Sequence, residues 1–149
     1  LLAVSVQSLK VLASRETPMP NQLLAKWHAY MNNPNADALS KLLHDDVTFI
    51  SPVVFTPQQG KELAMKYLLS AGIVFKDTKF EYVHEIESKN RMILEFEAEM
   101  DGKYVNGVDI VDFDDDGLIT QFKVMVRPLQ AVNMLWQQMG TQLEQASAR

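Results

Sequence analysis

Residues 107–127, GVDIVDFDDDGLITQFKVMVR, alternate apolar and polar side chains on either side of an acidic, glycine-containing break. That is the pattern of two strands joined by a tight turn. Side chains two apart on a strand share a face, so Val105, Asp109, Val111 and Phe113 form one row of the first strand. A carboxylate stands inside an otherwise apolar row. Leu118, Phe122, Val124 and Val126 form the matching row of the second strand, and the hairpin presents one hydrophobic face with Asp109 set into it. A buried carboxylate without partners is costly enough that it finds a donor or takes up a proton. A carboxyl with a raised pKa can then shuttle a proton or donate to a developing oxyanion. The structural alternative places Asp109 near solvent or against a backbone amide at a bulge.

The turn imitates a cation site without completing it. Asp112, Asp114, Asp116 and Gly117 copy the first half of a calcium-binding loop, but Lys123 stands where the closing Glu belongs and the flanks read as strands. FDDDG is therefore read as a turn, with Gly supplying a positive φ.

With 149 residues the chain suits one domain with a real core. It carries a net charge of −5, and its 14 Lys and Arg are scattered rather than striped, which argues against nucleic acid as a partner. The absence of cysteine removes thiolate catalysis and thiolate metal sites, and it fits a cytoplasmic protein. No apolar run has the length of a spanning helix, so no membrane is expected. Segment 1–20 reads as an extension carrying a short helix; it has no basic leader and contains Gln7, Ser8 and Lys10, unlike a signal peptide.

From residue 21 the pattern turns helical, with Leu23, Leu24, Trp27, Tyr30 and Met31 on one face. A short second helix follows, capped near Asn35 or Asp37 and holding His44 in its last turn. Residues 47–51 form a strand with Val47, Phe49 and Ser51 on one side, ended by Pro52. The next helix, 61–71, buries Leu63, Ala64, Tyr67 and Leu68 and closes at Gly72. Then Phe80, Tyr82, His84 and Ile86 share a strand face, and Met92, Leu94, Phe96, Ala98 and Met100 alternate with Glu95, Glu97 and Glu99. A final helix after Pro128 carries Leu129, Val132, Leu135, Trp136 and Met139 on one side, before a polar tail at 140–149. The expected fold class is α+β, a four-stranded antiparallel meander covered by helices from the first half of the chain. The three histidines show no paired ligand spacing, so no metal is expected.

The order of these pieces resembles the nuclear transport factor 2-like superfamily. W-x-x-Y at Trp27 and Tyr30, HDDVTFISPVV from His44, the Gly60 that precedes a helix, G-x-D-x-x-x-F-D-x-D-G-x-I from Gly107 and VMVRP from Val124 are similar to its SnoaL-like branch, over roughly residues 21–130. The resemblance implies a cone-shaped curved sheet, a cystatin-like α+β barrel with a mostly apolar pocket in its mouth. Relatives include ketosteroid isomerases, polyketide cyclases and epoxide hydrolases, beside proteins that only bind or scaffold. By this resemblance Trp27 takes the place of the isomerases' oxyanion-stabilising tyrosine and Ser51 that of their aspartate base. Asp109 matches their second, protonated aspartate.

These readings make Asp109 the candidate acid or base, in a pocket formed by Trp27, Tyr30, Phe49, Ser51, Tyr67, His84, Phe96, Phe122 and Val124. His84 either pairs there with Asp109 or is a satisfied core histidine. The expected function is cofactor-free, cyclase- or isomerase-type proton transfer on a small hydrophobic ligand; the alternative is a non-catalytic binding or dimerisation module. On the outward rows Val108, Ile110, Ile119 and Met125 lie beside Glu95, Glu97, Glu99 and Lys123, and this mixed face is expected to pair in a homodimer.

Overall fold

The computed structural model describes residues 22–148, so the expected helix within segment 1–20 lies outside the described residues. In chain order the elements are α1 (Leu23–Asn32), α2 (Ala36–Leu42), β1 (Leu43–Ile50), β2 (Gln58–Gln59), α3 (Lys61–Val74), β3 (Glu81–Glu87), β4 (Arg91–Met100), β5 (Lys103–Phe113), β6 (Ile119–Arg127) and α4 (Leu129–Ser147). The strands form one curved sheet in the order β2-β1-β6-β5-β4-β3. All neighbours run antiparallel except β1 and β6, which are parallel. The α+β expectation holds, with β1 and β2 extending the meander past β6.

The meander follows from strict alternation. Along β4, Met92, Leu94, Phe96, Ala98 and Met100 are buried. Asp101 and Gly102, both at positive φ (51° and 75°), make the two-residue turn into β5. Two apolar clusters result. One lies under α1, α2 and α3 and contains Trp27, Leu39, Phe49, Leu68 and Phe122. The other lies under α4 and contains Phe96, Met100, Val105, Leu135 and Met139.

Four local expectations are corrected. His44 is in β1 rather than a helical turn, because Leu43, 1% exposed and paired with Ile119, draws the chain into the sheet; the His44 ring accepts from the Asp46 amide at 2.9 Å. Helix α3 continues through Gly72 to Val74, and Leu63 on it is exposed. Ile119 is buried, not outward, because the β5–β6 register shifts at Asp112/Phe113 and sets Ile119 opposite Phe113. Helix α4 runs to Ser147, taking in most of segment 140–149, and buries only Ala131, Leu135 and Met139, while Leu129 and Trp136 stay exposed.

Candidate functional site

The inner side of the sheet and helices α1, α3 and α4 enclose a cavity of about 360 Å³, within the range of small-molecule sites. Of the residues expected to form a pocket, Trp27, Tyr30, Phe49, Ser51, Phe96, Phe122 and Val124 line it together with Asp109. Two do not. Tyr67 packs beside Phe49, ring centroids 5.3 Å apart, and is taken up by the two apolar clusters instead of the cavity wall. His84 is on the outer face, where its Nδ1 lies 2.7 Å from Glu95 Oε2.

A bulge explains the misplaced histidine. The β3–β4 register shifts between Tyr82 and His84, so Tyr82 opposes Phe96 but His84 opposes Glu95. One extra residue in one strand reverses the facing of everything beyond it. Phe80 and Tyr82 therefore point inward and line the cavity, while Ile86 is exposed. The same reversal turns Glu85 and Glu87 toward α1. Glu85 Oε1 meets His28 Nε2 at 2.6 Å, and Glu87 Oε1 accepts the Leu23 amide at 3.2 Å. Helix α1 has no capping side chain of its own, so Glu87 supplies that acceptor from the sheet.

Asp109 sits in the middle of β5, between Leu94 of β4 and Val124 of β6, and is 6% exposed. The Tyr82 hydroxyl donates to Asp109 Oδ2 at 3.0 Å, and the Trp27 indole N–H donates to the Tyr82 oxygen at 2.9 Å. This chain ties α1 to β3 and β3 to β5 through polar groups in apolar surroundings. Burial pushes the Asp109 carboxyl up to about 7, against a smaller opposing effect of the Tyr82 hydrogen bond. Burial, and then the neighbouring Asp109 charge, push the Tyr82 phenol above its ordinary value, so it remains a donor. Asp109 Oδ1 has no hydrogen-bond partner among the described residues, nor is it sealed off, since no buried side-chain polar atom lacks a partner there. Oδ1 therefore keeps some exposure, on a residue that lines the cavity.

Ser51, at the end of β1, accepts the Val53 amide at 3.1 Å and keeps its own proton to donate. Neither Tyr82 nor Lys76, which also lines the cavity, was among the expected site residues. Tyr82 was visible as a member of an alternating row, but the bulge that separates it from His84 leaves no mark in a two-residue period. Among the described residues no three His, Asp or Glu side chains are grouped to hold a metal ion. The acidic turn is engaged locally: Asp114 Oδ1 accepts the amides of Asp116 and Leu118, both at 2.9 Å.

A helix-covered curved sheet with one carboxylate in an apolar cavity defines a class. The chain belongs to the SnoaL-like family of the nuclear transport factor 2-like superfamily, whose SnoaL-like domain matches residues 24–122. Among solved structures it is similar to a steroid delta-isomerase from Pseudomonas aeruginosa, at 34% identity and a TM-score of 0.79 over 87% of this chain and 96% of that one. It is also similar to an uncharacterised cystatin-like protein from Silicibacter pomeroyi, at 24% identity and a TM-score of 0.75 over 82% of this chain and 85% of that one. An epoxide hydrolase/cyclase-like enzyme of pyran-ring formation in the polyether salinomycin shares 19% identity and a TM-score of 0.58 over 71% of this chain and 88% of that one. The last two likenesses show the fold alone. No curated protein matches the chain.

Proposed function

We propose that the cavity binds a small apolar carbonyl compound and that Asp109 moves a proton at it, in an isomerase- or cyclase-type reaction without a cofactor. One observation carries this reading: among the described residues Asp109 is the only carboxylate on the cavity wall, with one oxygen held by Tyr82 and the other without a partner. The 34% identity to a steroid delta-isomerase supports the carbonyl class.

A carboxyl near 7 is present in both protonation states at neutral pH, the condition that suits general acid–base work. Protonated, it donates to the ligand's carbonyl oxygen and stabilises the negative charge that develops there. In a cyclase-type step the carboxylate takes the proton from an acidic carbon of the ligand and then delivers it to the carbonyl oxygen as the resulting carbanion attacks that carbonyl carbon. Deprotonated, it takes a proton from a carbon beside the carbonyl and returns it, to the same carbon or to another. Tyr82 is a positioning residue, because its hydrogen bond fixes Oδ2 and leaves Oδ1 for the ligand.

The test is deuterium incorporation beside the carbonyl of a ketosteroid and of an acetylnaphthalene in heavy water, followed by proton NMR. The proposal expects exchange above the buffer rate and a loss of about 100-fold or more in Asp109→Asn, the lower range for general acid–base catalysis. Equal exchange by the two proteins sinks it. Ser51 favours a second reading, a binding module without chemistry, because a neutral hydroxyl stands where the resemblance puts an isomerase base. That reading expects ligand binding with no exchange.

A further inference from the structure

The polar groups of the cavity, sorted by what already holds them, describe the ligand. The Trp27 N–H is engaged by Tyr82, and the Tyr82 hydroxyl is engaged by both Trp27 and Asp109. What remains open inside is Asp109 Oδ1, the Ser51 proton and the Tyr30 hydroxyl, which has no partner among the described residues. The other walls are aromatic and aliphatic, among them Phe49, Phe96, Phe122 and Leu135. At the mouth the exposed Lys76 lines the opening, two residues past the end of α3. Its ammonium makes no ion pair or hydrogen bond among the described residues, unlike Lys41, Lys61 and Lys79, which pair with Asp37, Asp45 and Glu99.

A cation beyond a helix C-terminus suits the helix dipole, which accounts for a lysine near this point. The dipole does not account for the absence, among the described residues, of any carboxylate but Asp109 from the wall of a chain with net charge −5. Asp77 follows Lys76 directly, yet its backbone is left-handed (φ 60°) and it does not line the opening. The site thus has a proton-exchanging carboxyl inside, an apolar middle and one uncompensated positive charge at the rim.

We infer that the ligand is an amphipathic keto acid: its carbonyl meets Asp109, its apolar body fills the cavity, and its carboxylate stays at the mouth against Lys76. The orientation of the carbonyl rests on the function proposed above; the rim contact does not. Because Lys76 is exposed, its pair with a carboxylate contributes little and is weakened by salt. A preference of up to about fivefold at low ionic strength is the scale to look for.

The experiment uses an acetylnaphthoic acid with its ketone and carboxyl at opposite ends of the ring system, and the methyl ester of that acid. Dissociation constants of both are measured for the wild type, Lys76→Gln and Lys76→Arg, with acetyl deuterium exchange followed in the same samples. The ratio of ester to acid constants should fall about three- to fivefold in Lys76→Gln, be kept in Lys76→Arg, and shrink in the wild type at high salt. The same ratio in wild type and Lys76→Gln overturns the inference, as does failure of both probes to bind. Exchange of both probes with an unchanged ratio rejects the rim contact and leaves the proton-transfer function standing. A changed ratio without exchange rejects that function and keeps the carboxylate site.

Discussion

At the scale of single residues, Asp109 and Tyr82 carry opposite tendencies. Burial keeps a proton on Asp109, while the Tyr82 hydroxyl favours the carboxylate. The Tyr82→Phe variant removes the second influence, so the Asp109 pKa rises further and the pH profile of exchange moves upward. It also leaves the buried Trp27 N–H without its acceptor, which costs about 1–3 kcal/mol and is read by chemical denaturation. A merely structural tyrosine would show the stability loss without the profile shift. Asp109 itself makes the fold pH-sensitive with a definite sign. Its pKa is raised from 3.8 to about 7 in the folded chain, so its contribution is fully present below 3.8 and is lost as pH rises through 7. Denaturation of Asp109→Asn is expected to lack that decline and to exceed the wild type at pH above about 8, by on the order of a few kcal/mol.

At the scale of elements, two irregularities in the sheet build the site. The β3 bulge sends Tyr82 in and His84 out, and an inner row that begins as Phe80 and Tyr82 ends as Glu85 and Glu87 serving α1. The second irregularity is Gly107, opposite Phe96 on the cavity side of β5. A Cβ there would lie 2.3 Å from Phe96 Cζ and 2.8 Å from the Met125 carbonyl oxygen. The Phe96 ring is confined by Phe75 and Phe80, at centroid distances of 5.5 and 5.0 Å, and the Met125 oxygen belongs to the backbone of β6. Gly107→Ala is therefore expected to destabilise by about 1–3 kcal/mol in thermal or chemical denaturation. It should also weaken ligand binding, because the displaced ring has the cavity to move into. Neither irregularity could be read from alternation. The period of two puts Asp109, Phe96, Phe122 and Val124 on one face, and the structure has them on the cavity wall, since no bulge separates them from their paired neighbours. It failed at His84 and Ile119, each just beyond a register shift. On helices the apolar spacing located α1 well, yet overstated the face of α4, where only the innermost stripe meets the sheet and Trp136 stays exposed.

At the scale of the whole molecule, the helices close one side of the sheet around a cavity, and among the described residues none of them covers the other side. That other side carries a groove lined by Ile86, Ile93, Val108 and Met125 among His84, Glu95 and Arg127. We propose that a second copy of the chain covers it, since apolar and oppositely charged side chains alternate there and a two-fold contact can match them. Sedimentation is expected to show a dimer that Met125→Glu, on an exposed side chain, shifts to monomer without changing the fold; an unchanged mass would reject this contact. No helix among the described residues is long and apolar enough to cross a membrane. The proton transfer proposed for the closed side depends on Asp109 exchanging its proton near neutrality, and that is the property to measure. Carbon-13 NMR of the Asp109 carboxyl, assigned with Asp109→Asn, should give a midpoint near 7 that moves when a ketone ligand is added. A midpoint in the ordinary carboxylate range, indifferent to ligand, would contradict the proton-transfer account.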